Sequence, residues 1–215
     1  MAVTTALLRL LVLAVIFVNG WTDAPNAIAT AVGSGAMPFR KAVGLAALCN
    51  FAGTAVSCLA FPAVAATVGE LVSFADGQTA LTALCAAMLS IVLWAVAAWR
   101  FGLPTSESHA LLAGLSGAAL ALGSGASFNA PAWTKALGGM VLSLIAGAGA
   151  ARLLRGVLSR RIRRAAVWQR FAAGGMAFLH GAQDGQKFMA LLLMTSSSDT
   201  ASLPWLEPPL NTAKL

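Results

Sequence analysis

Charge is the scarcest property of this chain. Only 10% of its 215 residues are Asp, Glu, Lys or Arg, where a soluble domain of this size carries about a quarter. Too few polar side chains remain to cover a water-facing surface, since 59% of residues are hydrophobic and the mean hydropathy is +0.81. A soluble globular domain is thereby excluded, and an integral membrane protein is expected. Strict apolar/polar alternation is also missing. The apolar residues come in helix-length blocks, which favours an all-α bundle over an outer-membrane barrel. Cysteine is rare: Cys49, Cys58 and Cys85 are odd in number, sit in apolar runs and lack metal-ligand spacing. They read as small packing residues. No Walker loop, nucleophile–base pairing or cofactor box occurs, so nothing in the sequence indicates an enzyme or a bound cofactor.

The little charge there is lies unevenly. The net charge is +7, and Arg152, Arg155, Arg160, Arg161, Arg163, Arg164 and Arg170 make up half of the 14 Lys and Arg. A basic cluster in one loop between apolar blocks is the mark of a cytoplasmic loop. Its partner is anionic membrane lipid, not nucleic acid. Six apolar units can be read, at about 7–36, 42–66, 79–99, 102–123, 133–151 and 167–194. Arg40 and Lys41 follow the first, Glu70 and Asp76 the second, and Arg100 the third. Alternating sides place the 37–41 and 152–170 loops inside, and the 67–78 and 124–132 loops outside with the N-terminus. This pattern requires the fourth unit to cross fully, its polar start bent into the membrane. The expected location is the inner (plasma) membrane, multi-pass.

Two units carry polar interruptions: "NGWTDAPN" at 19–26 and "HGAQDGQK" at 180–187. Each has a glycine with an aspartate three places on, Gly20 and Asp23 in one, Gly181 and Asp184 in the other. Corresponding Gly/polar breaks in membrane helices signal an internal repeat. Five units separate the starts of the two copies, an odd number, so the copies face opposite ways. That is the inverted-repeat architecture of secondary transporters with broken helices. Backbone groups freed by such a break must line a cavity or hold a ligand. Asp23, Asn26, Asn19 and Thr22 offer an oxygen-only set, suited to sodium or to a proton carried on Asp23. Asp184, with Gln183, Gln186 and Lys187, is the repeat partner. Lys187 either pairs with Asp184 or touches an anion. His109 and His180 read equally as hydrogen-bonded packing residues and as functional groups.

The third feature is "GLPTSESHALLAGLSGAAL", starting at residue 102. Thr105, Ser106 and Ser108 stand at the start of an apolar helix, where free N–H groups and hydroxyls make either an anion cradle or an ordinary N-cap. Glu107 among them repels an anion unless a cation or proton intervenes, which suggests coupling. The glycine pairs Gly114 and Gly117, Gly138 and Gly139, and Gly147 and Gly149 are expected at close helix crossings.

Together these three motifs resemble the inorganic phosphate transporter (PiT) family, in its bacterial branch. That family carries a G-x-N-D-x-x-N-like break in each repeat and a P-x-S-T-T-H-like hairpin. The matching stretches are "GWTDAPN", "HGAQDGQK" and "PTSESH", and the resemblance spans about residues 10–194. It implies phosphate import by symport with sodium or protons. Thr105, Ser106, Ser108, Asn26 and Gln183 would bind substrate, and Asp23, Asp184, Glu107 and Asn19 would couple the cation. Sodium would sit at Asp23, Asn26 and Asp184; His109, which closes the hairpin motif, and His180 and Lys187 are further candidate site residues. Glu107 stands where threonine is commoner, and Lys187 where the first copy has Asn26, so the coupling ion stays open.

The family's second hairpin motif is missing. Residues 1–151 read as a first repeat of five units, 152–166 as a basic loop, 167–194 as one unit of a second repeat, and 195–215 as a polar tail. The expectation is a truncated transporter, or a half-transporter completed by another chain or by a homo-oligomer. Sulfate or another tetrahedral oxyanion fits the same groups, although only a titratable phosphate donates a hydrogen bond to Glu107 or Asp23. A non-transporting membrane subunit derived from a decayed repeat is the alternative of a different class.

Overall fold

A computed structural model describes residues 2–60, 70–158 and 165–196. The elements are α1 (Ala2–Thr22), α2 (Ala24–Gly33), α3 (Phe39–Ala60), β1 (Val72–Phe74), α4 (Gly77–Phe101), α5 (Glu107–Leu122), β2 (Ala126–Phe128), α6 (Ala130–Leu158) and α7 (Ala165–Ser196). Among the described residues, four segments are long and apolar enough to cross a membrane: Ala2–Gly33, Phe39–Ala60, Gly77–Phe101 and Ala130–Gly156. The chain is an all-α membrane protein, as its composition requires. Large apolar side chains such as Phe17, Leu59, Leu144 and Phe171 point outward and are exposed, as the lipid-facing side of such a bundle demands. The main core joins Leu8, Val12 and Val15 of α1 to Leu84, Met88 and Ile91 of α4, Leu111 and Leu115 of α5, and Leu191 of α7.

Strands β1 and β2 pair antiparallel, Val72 with Phe128 and Phe74 with Ala126. The segments before α4 and after α5 therefore share one end of the bundle, as the charge pattern predicts. Asp76 starts α4 there. Its carboxylate accepts from the Thr79 N–H at 2.9 Å and the Thr79 hydroxyl at 2.6 Å, and these bonds hold it below the usual carboxylate range. At the opposite end Arg170 Nε donates to the Ala36 carbonyl at 2.7 Å. The Cys85–Thr4 contact and the Trp21–Trp99 ring contact make α1 parallel to α4. Helices α3 and α7 run the other way, so the two related motifs lie on antiparallel helices.

Four expectations change. The eight-residue interruption at 19–26 shrinks to a single turn residue, Asp23, between α1 and α2. Asp23 N–H still donates to Asn19 O at 2.8 Å. Pro25 lies in the first turn of α2, where its missing N–H costs nothing, so the helix resumes at once.

The stretch 180–187 is not interrupted at all; α7 runs straight through it. It contains no proline, and each glycine costs a helix only about 1 kcal/mol. Packing offsets that cost. A Cβ on Gly181 would stand 2.1 Å from Asn50 O, and one on Gly53 would stand 2.0 Å from Phe178 O. These glycines bring α3 and α7 together; they do not break α7.

The fourth unit does not cross as a full helix. Helix α5 has 16 residues, about 24 Å, against roughly 30 Å of hydrocarbon. Instead α4 and α5 form a hairpin. Gly102 ends α4 at φ +66°, which suits glycine, and Leu103 N–H returns to Ala98 O at 2.8 Å. The segment then folds back along α4, where Trp94 Nε1 donates to Thr105 Oγ1 at 2.8 Å. The hairpin tip stands beside Trp21 and Lys187. Helix α7 continues about 21 Å beyond Asp184 before reaching Arg170. Arg100 thus lies near the hairpin tip and not with Arg40, Lys41 and Arg170.

Among the described residues, a Cβ on Gly114, alone of the six glycines expected at helix crossings, would meet a neighbour, 3.1 Å from Ala87 O and Ser90 Oγ. The other five have nothing within 4 Å, and α6 is exposed along most of its length. The sequence readings at 61–69, 159–164 and 197–215 lie outside the described residues.

Gly181→Ala should destabilise the bundle by roughly 1–3 kcal/mol, because the atom it strikes is backbone and α3 must move. Gly175→Ala, with open space around it, should be neutral or slightly stabilising. Unfolding in mixed detergent reads both, and equal effects would contradict the close α3–α7 approach.

Candidate functional site

Polar side chains buried among membrane helices are expensive, so each one needs a reason. Among the described residues the buried polar or charged ones are Thr5, Asn19, Ser57, Glu107, Asp184 and Gln186. Four of these six come from the three motifs, and three of them, Asn19, Glu107 and Asp184, lie about halfway along the bundle.

Asp184 is the hub. Its Oδ2 accepts from Asn19 Nδ2 of α1 at 2.8 Å, and its Oδ1 pairs with the Lys187 ammonium. His180 Nε2 lies 3.1 Å from Oδ2. Positions three and four apart share a helix face, which is why an unbroken α7 can hold all three side chains together. Lys187 also donates to Ser108 Oγ of α5 at 2.6 Å.

Helix α3 enters through Asn50, whose Nδ2 donates to Ala46 O at 3.0 Å. That leaves Asn50 Oδ1 to accept from His180 Nδ1, 2.8 Å away, so Nδ1 carries a hydrogen. A neutral His180 would then turn the Nε2 lone pair toward a carboxylate oxygen. The close approach without a hydrogen bond calls for a proton or a cation between them.

Asp23 completes the cluster. One ligand atom each from Asp23, His180 and Asp184 falls within 4.8 Å of the others. Asn19 Oδ1, on the amide that binds Asp184, is buried without a hydrogen-bond partner. The set is rich in acceptors. Asp23, Asp184 and Glu107 are three carboxyl groups around one ammonium, that of Lys187. Excess negative charge away from water favours uptake of a cation or a proton.

Glu107 opens α5 and is almost fully buried, with neither carboxyl oxygen hydrogen-bonded. It shares a space of about 10 Å³ with Val15, Ile91, Leu111, Phe188, Leu191 and Lys187. A helix N-terminus favours a carboxylate by up to about 2 kcal/mol. Burying an uncompensated charge costs several kcal/mol even after relaxation. Burial wins, and the neutral acid is the form that fits this space.

The other residues named from the sequence divide between two places. Ser108 faces Lys187, but Thr105, Ser106 and His109 line a separate cleft of about 940 Å³ between α4 and α5. Ser106 is the N-cap residue of α5, yet its hydroxyl pairs with His109 Nδ1 at 2.8 Å and caps no amide. Asn26 and Gln183 are exposed and lie outside the cluster, and the Thr22 hydroxyl returns to Val18 O. Asp23 and Asp184 of the expected sodium set do meet, with His180 and Asn19 in place of Asn26.

Sequence reasoning missed Asn50 and Thr54 of α3. Thr54 Oγ1 donates to Gly181 O at 2.9 Å. Both residues line a cavity of about 520 Å³ beside Asn19, His180 and Asp184. The signal is two polar residues one helical turn apart, Asn50 and Thr54, in the apolar stretch of α3 between Lys41 and Ser57.

Asp184→Asn should strand the Lys187 ammonium and cost about 3–5 kcal/mol. Replacing both Asp184 and Lys187 by leucine should recover most of that loss. Thermal unfolding of the three proteins checks this, and a double variant no better than the single one would contradict the pairing.

A profile of the Phosphate transporter family matches residues 19–172. A probable low-affinity inorganic phosphate transporter of Streptomyces halstedii is 36% identical over 177 residues, covering 78% of this chain and 81% of the relative. The Bacillus subtilis (strain 168) protein of that description is 29% identical, covering 89% of this chain and 60% of its own. The low-affinity inorganic phosphate transporter PitA of Escherichia coli (strain K12) is 32% identical, covering 88% of this chain and 46% of its own. The chain thus spans about half the length of several curated relatives it matches. No solved structure matches. With a family profile matching residues 19–172, well over half of its length, and a relative 36% identical that it covers to 81%, the chain belongs to the phosphate transporter family.

Proposed function

We propose that this chain carries inorganic phosphate across the inner membrane together with sodium or a proton. The observation that carries the reading is the Lys187–Ser108 contact. It joins the Asp184 cluster to the start of α5, so an acceptor-rich pocket and a set of anion-binding donors stand side by side. The anion would be held at the hairpin tip by the N-terminal amides of α5 and the Thr105 and Ser106 hydroxyls of the α4–α5 cleft, with Ser108 tying the same helix turn to Lys187. The cation would be held by Asp23, Asp184 and the free Asn19 Oδ1. Each ion reduces the electrostatic cost of burying the other, so each raises the other's affinity, and the coupling is reciprocal. The printed names of the relatives support phosphate as the anion. The end carrying Arg40, Lys41 and Arg170 would face the cytoplasm, with the N-terminus outside.

The purified chain in liposomes should take up labelled phosphate when a sodium or proton gradient points inward. Unlabelled phosphate should compete and sulfate should not. Asp23→Asn should reduce the gradient-driven part to background. Uptake that ignores both gradients, or survives Asp23→Asn with the same ion dependence, would contradict the reading.

A further inference from the structure

We propose that Lys187 is a mobile ammonium shared between Asp184 and Glu107, so that a proton on Glu107 and a cation at the Asp23–Asp184 cluster exclude one another. This rests on the cation site of the preceding section and goes further, because it says which ions that site holds and when.

Lys187 bonds Asp184 and Ser108 and also forms part of the wall around Glu107. Ser108 is the residue after Glu107, so the ammonium already stands at the mouth of the glutamate's space. Its four-carbon stem and three donors allow it to turn on the Ser108 hydroxyl from one carboxyl to the other. Among the described residues the wall of this space offers Glu107 no other side-chain donor; its two oxygens are unpartnered, and the space is about the size of one water molecule. The charged groups around Glu107 are Lys187 and Asp184 from α7 and Asp23 from the α1–α2 junction. Helix α4 contributes Ile91, and α1 contributes Val15.

Two arrangements follow. With Glu107 protonated, Lys187 stays on Asp184, as in the structure, and the ammonium fills the place of a coupling cation. When Glu107 loses its proton, its carboxylate draws across Lys187, the side-chain donor in the described wall of its space. Asp184 is then left with Asn19 and His180, facing Asp23, and the two aspartates are open to sodium. One positive charge leaves Glu107 and one enters at Asp23–Asp184, so the net charge of the buried cluster is the same in both states. Proton and sodium become alternatives at one device, and external pH decides which is used.

The test uses the purified full chain in lipid nanodiscs, with sodium as the probe and no phosphate present. Infrared difference spectra on adding sodium near neutral pH should show loss of a protonated-carboxyl band. A weakly buffered sample should release one proton for each sodium bound. Glu107→Gln should lack the band, release no proton, and bind sodium with an affinity that no longer changes with pH. Lys187→Gln should bind sodium several-fold more tightly, whereas removing a purely structural strut would weaken binding.

The wild-type measurement depends on no variant folding. Sodium that binds without proton release, or does not bind at all, overturns the proposal, as does a Glu107→Gln protein that keeps the pH dependence. Phosphate uptake is followed separately in vesicles of the same preparation. Uptake without sodium–proton exchange removes the switch and leaves transport standing, and exchange without uptake does the reverse.

Discussion

Everything at the centre of this bundle depends on one carboxylate held away from water. Asp184 is buried at mid-height, and a charge in that position persists only if neighbours satisfy it. Asn19 brings α1, His180 with Asn50 brings α3, and Lys187 with Ser108 brings the α4–α5 hairpin. Four separate stretches of sequence are fixed in register by a demand that begins at one side chain. The glycines serve the same end. Gly53, Gly181 and Gly185 remove the side chains that would keep α3 away from α7, and without that approach Asn50 could not reach His180.

The cluster is fully provided for on one side and deliberately short on the other. Asp184 is satisfied, whereas Asn19 Oδ1 and both oxygens of Glu107 are not. Unsatisfied buried acceptors are rare, and here those of Glu107 share a space with Lys187 while that of Asn19 belongs to the amide bonded to Asp184. A purely structural network would have closed these gaps. An arrangement that exchanges ions needs them, because a site that is complete when empty has no reason to bind.

Much of this was legible in the sequence. The shortage of charge gave the membrane class, and the acidic and basic loops placed the ends of α4 and α5 together, as the β1–β2 pairing bears out. Asp23, Asp184, Glu107, Ser108 and Lys187 stood out because polar residues inside apolar helices must be accounted for. The errors share a cause. Glycine next to polar residues reads as a break, but in 180–187 the glycines face α3 and helical hydrogen bonding continues. Which neighbour a glycine meets is a tertiary fact. For the same reason the cluster's α3 members, Asn50 and Thr54, escaped notice, as did the way Thr105 and Ser106 turn into a different cleft from Ser108. Helix periodicity says that side chains share a face; it does not say what that face meets.

The central claim is that the buried Asp184 holds the Lys187 ammonium in the resting protein. Solid-state NMR on the chain in lipid bilayers, with lysine labelled at Nζ and aspartate at Cγ, measures that contact directly. The account predicts strong dipolar coupling between Lys187 Nζ and Asp184 Cγ in the absence of sodium and phosphate. A lysine ammonium with no carboxyl carbon nearby would contradict it.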